Sequence, residues 1–126
     1  RRYQKIVTAL IRCSKLNKLG WKLDQLTCEE LIDVCQGMKK LKVTEGKFVD
    51  KIMLLVGQNI ENFTHSELYK LAVSLIILQK KFPRGYLVIH NECAKHLTKF
   101  TNAEIRNLQQ TFLKADIRSS PFLQVQ

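Results

Sequence analysis

The sequence predicts an all-α fold, an α-solenoid of stacked antiparallel helix-turn-helix repeats with a 37-residue period. Three short segments predict this fold: LTCEEL at Leu26, FTHSEL at Phe63 and FTNAEI at Phe100, which we call the capping motifs. The threonines of successive capping motifs are 37 residues apart both times. One such motif alone is weak evidence, whereas three at a fixed spacing predict helical hairpins that must stack to bury their apolar surfaces.

Each capping motif predicts the start of a helix. Its threonine suits the N-cap position, where the hydroxyl accepts from a free backbone amide and the glutamate three residues later bonds back. Apolar residues before the cap and at the fourth helical position form a hydrophobic staple, which fixes how the chain enters the helix. Glu30, Glu67 and Glu104 are therefore interpreted as capping residues and not as general acids or bases.

We divide residues 1–126 into one helical-repeat domain, with a partial unit 1–25, full units 26–62 and 63–99, and a partial unit 100–126. Apolar residues at steps of three and four place one stripe on the first helix of each unit. The stripes are Leu31, Val34, Cys35, Met38 and Leu41; Leu68, Leu71, Ala72, Leu75 and Leu78; and Ile105, Leu108, Phe112 and Ala115, where Gln109 interrupts.

The second helix of each full unit follows a turn and carries apolar residues that step by four. In the first full unit these residues are Phe48, Ile52, Val56 and Ile60, and 37 residues later stand Gly85, Ile89, Cys93 and Leu97. We expect helices to start near Thr27, Gly46, Thr64, Arg84 and Thr101.

The first 23 residues contain no Asp or Glu, and two interpretations compete for them. A basic, partly amphipathic segment is typical of a mitochondrial transit peptide. However, Ile11, Lys15, Leu19 and Leu23 lie 37 residues before the row that begins at Phe48, which favours a folded second helix. On that interpretation the chain begins and ends inside a unit, so we expect a piece of a longer array or a mature chain with missing ends.

The formal net charge of +10 and the pI near 9.7 point to polyanionic partners, nucleic acid first and an anionic membrane surface second. A solvated basic surface is the plainer alternative. No apolar run reaches the roughly 18 residues of a membrane span, so membrane insertion is not expected. Cys13, Cys28, Cys35 and Cys93 form no CxxC pair and lack zinc-ligand spacing with the histidines, which predicts no metal site. Cys35 and Cys93 occupy core-facing positions and are interpreted as buried thiols in a reducing compartment.

Basic residues recur at the end of the first helix and in the turn after it. Stacked units would align them into a cationic ridge suited to a phosphate backbone, although the helix dipole also favours cations at these ends. The ridge comprises Lys39, Lys40, Lys42, Lys80, Lys81, Arg84, Lys114 and Arg118, with Arg2 and Lys5 upstream.

At equivalent exposed positions of the first helices the residue type changes from unit to unit, whereas the capping motifs and apolar stripes recur. This pattern is typical of base-contacting positions and also of an unconstrained surface. The candidates for base contacts are Tyr69, Lys70, Asn102, Arg106 and Asn107. The sequence has no phosphate-binding glycine loop and no nucleophile with a paired base. We therefore expect a binding protein and not an enzyme, with no cofactor and no small-molecule substrate.

The segments LTCEELIDV, FTHSELYKL and FTNAEIRNL, with their 37-residue period, resemble the heptatricopeptide repeat. That family is related to octotricopeptide repeats and to the helical repeats of FAST-kinase-like proteins, which often precede a RAP domain; no RAP-type segment is visible here. The resemblance implies an RNA-binding protein of the mitochondrial matrix, a ribosome subunit or assembly factor that contacts ribosomal RNA and neighbouring proteins of a ribonucleoprotein complex. Two alternatives stay open, a scaffold whose solenoid grips partner helices and a fragment of an organellar RNA-processing or stability factor.

Overall fold

The computed structural model describes residues 26–124, and all regular structure in that range is helical. The α-helices of the described range are α1 Cys28–Leu41, α2 Lys47–Gln58, α3 His65–Ser74, α4 Pro83–Lys95 and α5 Asn102–Lys114. Short 3₁₀ segments are Ile60–Asn62, Leu75–Leu78, Leu97–Lys99 and Pro121–Gln124. The all-α prediction is confirmed, and every α-helix begins within one residue of its predicted start. The predicted partial unit 1–25, including Arg2, Lys5 and Cys13, lies outside the described residues.

The three predicted capping boxes form with nearly identical geometry. The backbone amide of the glutamate donates to the threonine Oγ1 at 3.1 Å in α1, 3.2 Å in α3 and 3.1 Å in α5. The threonine amide donates back to the glutamate Oε1 at 2.9 Å in all three. Each box satisfies two amides that a helix start otherwise leaves without an intrahelical partner.

The first helices of successive units lie side by side, and the second helices pack on them. α3 lies between α1 and α5, and α4 packs against both α2 and α3. The apolar stripes meet in one core, in which Cys35 and Cys93 are buried as predicted. Polar groups at these interfaces find main-chain partners, because the Tyr86 hydroxyl donates to the Ala72 carbonyl and Gln109 Nε2 donates to the Phe122 carbonyl at 2.7 Å. Gln109, which interrupts the predicted stripe, thus ties α5 to the 3₁₀ segment that follows it.

The predicted stripe of α1 is wrong at its last position, because Leu41 is 42% exposed. Lys42 adopts a left-handed conformation with φ 56°, and the Val43 amide then donates to the Met38 carbonyl at 2.9 Å. This is a Schellman ending, in which the residue after the left-handed one turns back onto the helix. Val43 therefore packs against the core where Leu41 was expected.

The first helix of the second full unit ends differently. The stripe from Leu68 continues to Leu78 as predicted, but the chain tightens into a 3₁₀ helix at Leu75. Residues three apart are eclipsed in a 3₁₀ helix, so Leu75 and Leu78 face the core together. Both side chains are buried.

A buried polar network joins α4 to the end of the described chain. His90 Nε2 lies 2.7 Å from Ser120 Oγ, and His90 Nδ1 lies 2.9 Å from Asn91 Oδ1. Asn91 Oδ1 can only accept, so an imidazole with one proton donates from Nδ1 and accepts from the Ser120 hydroxyl at Nε2, while Ser120 Oγ also accepts from the Phe122 amide at 3.2 Å. The imidazole stands edge-on to Phe112, with ring centroids 4.7 Å apart. No described helix is both long and apolar enough to cross a membrane.

Candidate nucleic-acid interface

The predicted cationic ridge lies on solvent-exposed helix ends and turns. Each of its eight members within residues 26–124 is exposed. Lys39 and Lys40 lie in the last turn of α1, and Lys114 is the last residue of α5. Lys80 and Lys81 lie in the turn before α4, while Arg84 is the second residue of that helix. The remaining members, Lys42 and Arg118, follow the first helices of their units.

Lys39 has a second role that the sequence did not predict. Its Nζ donates to the Val73 carbonyl at 3.0 Å, so the last turn of α1 lies beside the last turn of α3. The carbonyl is close to the start of the 3₁₀ segment at Leu75, where the helical winding changes. Lys39 thus joins the ends of two successive first helices, upstream of the turn that carries Lys80 and Lys81.

The other cations of the ridge differ in their local contacts. Arg118 Nε lies 2.8 Å from Asp116 Oδ1 in an exposed ion pair, and such pairs contribute little because solvent screens them. Lys81 Nζ lies 5.8 Å from the centroid of the adjacent Phe82 ring. A phosphate would therefore compete with a carboxylate at Arg118, whereas the Lys81 ammonium remains accessible from solvent.

Two of the candidate base-contacting residues bond to each other. Asn107 Nδ2 donates to the Tyr69 hydroxyl at 2.7 Å, which joins α5 to α3. The Tyr69 ring is half-buried against the core, and Lys70, Asn102 and Arg106 are exposed. The bonded residues are 38 positions apart, one more than the period. Comparing each exposed position with the one 38 residues later could therefore have revealed the pair from the sequence.

The thiols of the described residues are not set up for nucleophilic or metal chemistry. Burial raises the pKa of Cys35 to about 12, and burial together with the nearby Glu92 raises the pKa of Cys93 to about 12. The pKa of Cys28 is also raised, by partial burial and by the Glu67 carboxylate. All three thiols therefore stay protonated at neutral pH. Within residues 26–124, no group of three or more His, Cys, Asp or Glu side chains is arranged to hold a metal ion.

Comparison with known proteins adds no relative. No protein-family model, no curated protein and no solved structure matches the chain. The geometry and charge of its own residues therefore carry the functional argument.

Proposed function

We propose that this chain is an RNA-binding segment of an α-solenoid with a 37-residue period, similar to the heptatricopeptide repeats. It acts by binding and not by catalysis, as a subunit or assembly factor of a mitochondrial ribosome that contacts ribosomal RNA. The observation that carries the proposal is the return of exposed cations to the same part of each unit within residues 26–124. Regularly spaced cations suit the evenly spaced charges of a phosphate backbone.

Contacts between units support the repeated stack. Lys39 reaches Val73, Tyr69 bonds Asn107, and the rings of His65 and Phe100 have centroids 5.8 Å apart. The sequence separations of the two hydrogen bonds, 34 and 38, and that of the ring pair are close to one period. Successive first helices thus run in the same direction at a similar register, which would align their basic ends. We expect equivalent atoms of residues i and i+37 to superpose by one repeated rotation.

The chemistry of the ridge favours single-stranded RNA over a small anionic ligand. The cations lie on exposed helix ends and turns, a geometry that tracks an extended backbone. Tyr69 is only half-buried, so a base could stack on the exposed part of its ring, and it lies on the first helix whose end leads to Lys80 and Lys81.

The test is the salt dependence of RNA binding after removal of two ridge cations. Lys80→Ala with Lys81→Ala should weaken binding to poly(U) and to a mixed-sequence RNA equally. Each lost phosphate contact removes about 0.7 from the slope of log affinity against log salt, so the slope should flatten by about one to one and a half units. Fluorescence anisotropy over a series of salt concentrations measures both quantities.

The matched control removes two exposed lysines outside the ridge, Lys95→Ala with Lys99→Ala, near the end of the second helix of the same unit. It changes the net charge by the same amount and should leave most of the slope intact. Equal flattening in both double variants would mean diffuse attraction without a ridge. If Lys80→Ala with Lys81→Ala leaves the salt slope unchanged, the result would favour the protein-scaffold alternative instead.

Base contact at Tyr69 has a separate signature. Tyr69→Ala should cost on the order of 1–3 kcal/mol of binding free energy through lost stacking, with little change in slope. Tyr69→Phe keeps the ring and removes only the hydroxyl that Asn107 bonds, so it should retain RNA affinity. Unchanged affinity in Tyr69→Ala would remove this residue from the interface.

A further inference from the structure

The second-helix layer exposes aliphatic side chains on two adjacent helices. Leu54 of α2 is 52% exposed, and Leu87 and Val88 of α4 are 43% and 42% exposed. We call these three residues the outer face. At about 100° per residue, Leu54 lies on the side of α2 opposite to the buried Ile52, and Leu87 lies almost opposite to the buried Ile89 on α4. Neither leucine is needed to fill the core.

The two helices that carry the outer face approach each other closely. A Cβ atom added at Gly85 of α4 would lie 3.0 Å from the Met53 Cε of α2, so Met53 packs directly against the glycine backbone. On α2, Gly57 lies one turn beyond Leu54 and has open space where a Cβ would stand. The outer surface of the helix pair therefore has room near Leu54 for the side chains of another helix.

Charge around the outer face is predominantly positive. α2 and α4 carry Lys47, Lys51, Arg84 and Lys95. Against them stand the exposed Asp50 and the buried Glu92, whose Oε1 already pairs with Lys95 Nζ at 3.2 Å. An apolar patch with a cationic rim is complementary to a surface that combines aliphatic and acidic side chains.

This charge also decides between occupants of the outer face. A second copy of the chain carries the same formal net charge of +10, and like charges oppose such a contact. RNA gains base stacking from aromatic side chains, and the outer face consists of aliphatic ones. A helix with leucines on one face and carboxylates beside them can contact both the aliphatic side chains and the surrounding cations. Amphipathic helices commonly bind apolar surfaces in this way.

We propose that the outer face binds an amphipathic α-helix of a partner protein, with an apolar stripe flanked by Asp and Glu. The contact lies on the second-helix layer, apart from the first-helix columns proposed for base contact. It does not depend on RNA binding, so the two functions can fail separately.

The test uses the 126-residue chain and a fluorescein-labelled synthetic helix with leucines at i, i+4, i+7 and i+11 and glutamates on both flanks. Leu54→Gln with Leu87→Gln should weaken peptide binding about tenfold or more, as expected when central apolar contacts are lost. The matched control Leu113→Gln removes a comparably exposed leucine of α5 and should bind as the native chain does. A peptide of identical composition with its leucines spread around the helix should bind weakly and should not distinguish the variants.

RNA titrations and vesicles complete the test. Peptide binding should survive Lys80→Ala with Lys81→Ala, and RNA binding should survive the outer-face variant, so failure of one function does not mimic failure of the other. Equal peptide affinity in the native chain and the outer-face variant would overturn the proposal. So would binding to phosphatidylcholine vesicles with 30% phosphatidylserine that requires Leu54 and Leu87 while the peptide is ignored, since that outcome identifies a membrane surface instead.

Discussion

The two full units share the geometry of their helix starts, which we call the frame, but differ in the charge of their exposed residues. Residues 26–62 carry five basic and six acidic residues, a net charge of −1, whereas residues 63–99 carry six basic and two acidic residues, a net charge of +4. Their capping boxes nevertheless agree to within 0.1 Å. Local hydrogen bonds at the helix starts thus preserve the frame, while the exposed positions have diverged. The second unit combines the larger positive charge with the Tyr69 ring, so under the proposed function we expect it to contribute more to RNA affinity than the first.

The two units also end their first helices differently. Leu41 and Leu78 are equivalent in sequence, yet Leu41 is 42% exposed and Leu78 is 1% exposed. The difference follows from winding, because the 3₁₀ turn aligns Leu78 with Leu75, whereas the Schellman ending of α1 brings Val43 inward instead. Identical residues at equivalent repeat positions can therefore differ in burial at helix ends.

The second helices of the two units carry a large and a small residue at the same repeat position. Alanine substitutions at this position should therefore differ most in their effect on the free energy of unfolding. Phe48 is buried, whereas the equivalent Gly85 lets Met53 pack against the backbone. Phe48→Ala should lower the free energy of unfolding by about 3–5 kcal/mol through the cavity it leaves. Gly85→Ala should stay within about 1 kcal/mol of the native chain, because the flexible Met53 end can move and alanine favours the helix. Urea unfolding followed by circular dichroism measures both, and a large loss in Gly85→Ala would mean that Met53 is held rigidly.

His90 occupies the position equivalent to Met53, so exchanging the residue type tests the next difference. His90→Met should keep most of the packing but leave the buried Ser120 hydroxyl without its acceptor, at a cost of about 1–3 kcal/mol. The control Asn91→Ala removes only the exposed partner of the imidazole and should cost less. If His90→Met unfolds at the native urea concentration, the network does not stabilise the end of the chain.

The shared frame predicts equal effects at the caps. Thr27→Ala and Thr64→Ala should each cost roughly 1 kcal/mol of unfolding free energy, because each loses an N-cap acceptor. RNA affinity per folded molecule should not change in either variant. Reduced affinity of Thr64→Ala at an unchanged melting temperature would instead make the capping threonine an RNA contact.

The smallest expected effect concerns the link between the units. Lys39→Met should cost about 0.5–1 kcal/mol of unfolding free energy, because an exposed hydrogen bond to Val73 is lost. Lys80→Met removes the same charge from an exposed turn and should leave thermal stability unchanged. Equal melting temperatures of the two variants would show that Lys39 contributes only charge.

The boundary between what the sequence predicted and what it did not follows the range of the interactions. Capping boxes and staples act within a few residues, so the starts of α1, α3 and α5 were predictable from the three capping motifs. The stripes likewise predicted the core, including Cys35 and Cys93. The contacts of Lys39 with Val73 and of His90 with Ser120 join residues 34 and 30 positions apart, and no local pattern contains them. The structure was also needed to show that Leu54 and Leu87 are exposed on two helices that pack together.

The acceptor of the Lys39 ammonium has a consequence for how such a chain can lengthen. The Val73 carbonyl accepts from Lys39 across the two full units, and within the second unit main-chain carbonyls accept from the Tyr86 hydroxyl and, more weakly, from the Cys93 thiol at 3.7 Å. Every residue has a main-chain carbonyl whatever its side chain, so these hydrogen bonds survive substitutions of the accepting residue. An added copy of a unit would therefore meet the acceptor of the Lys39 bond whatever residue stood there, and its exposed side chains could change without loss of that bond.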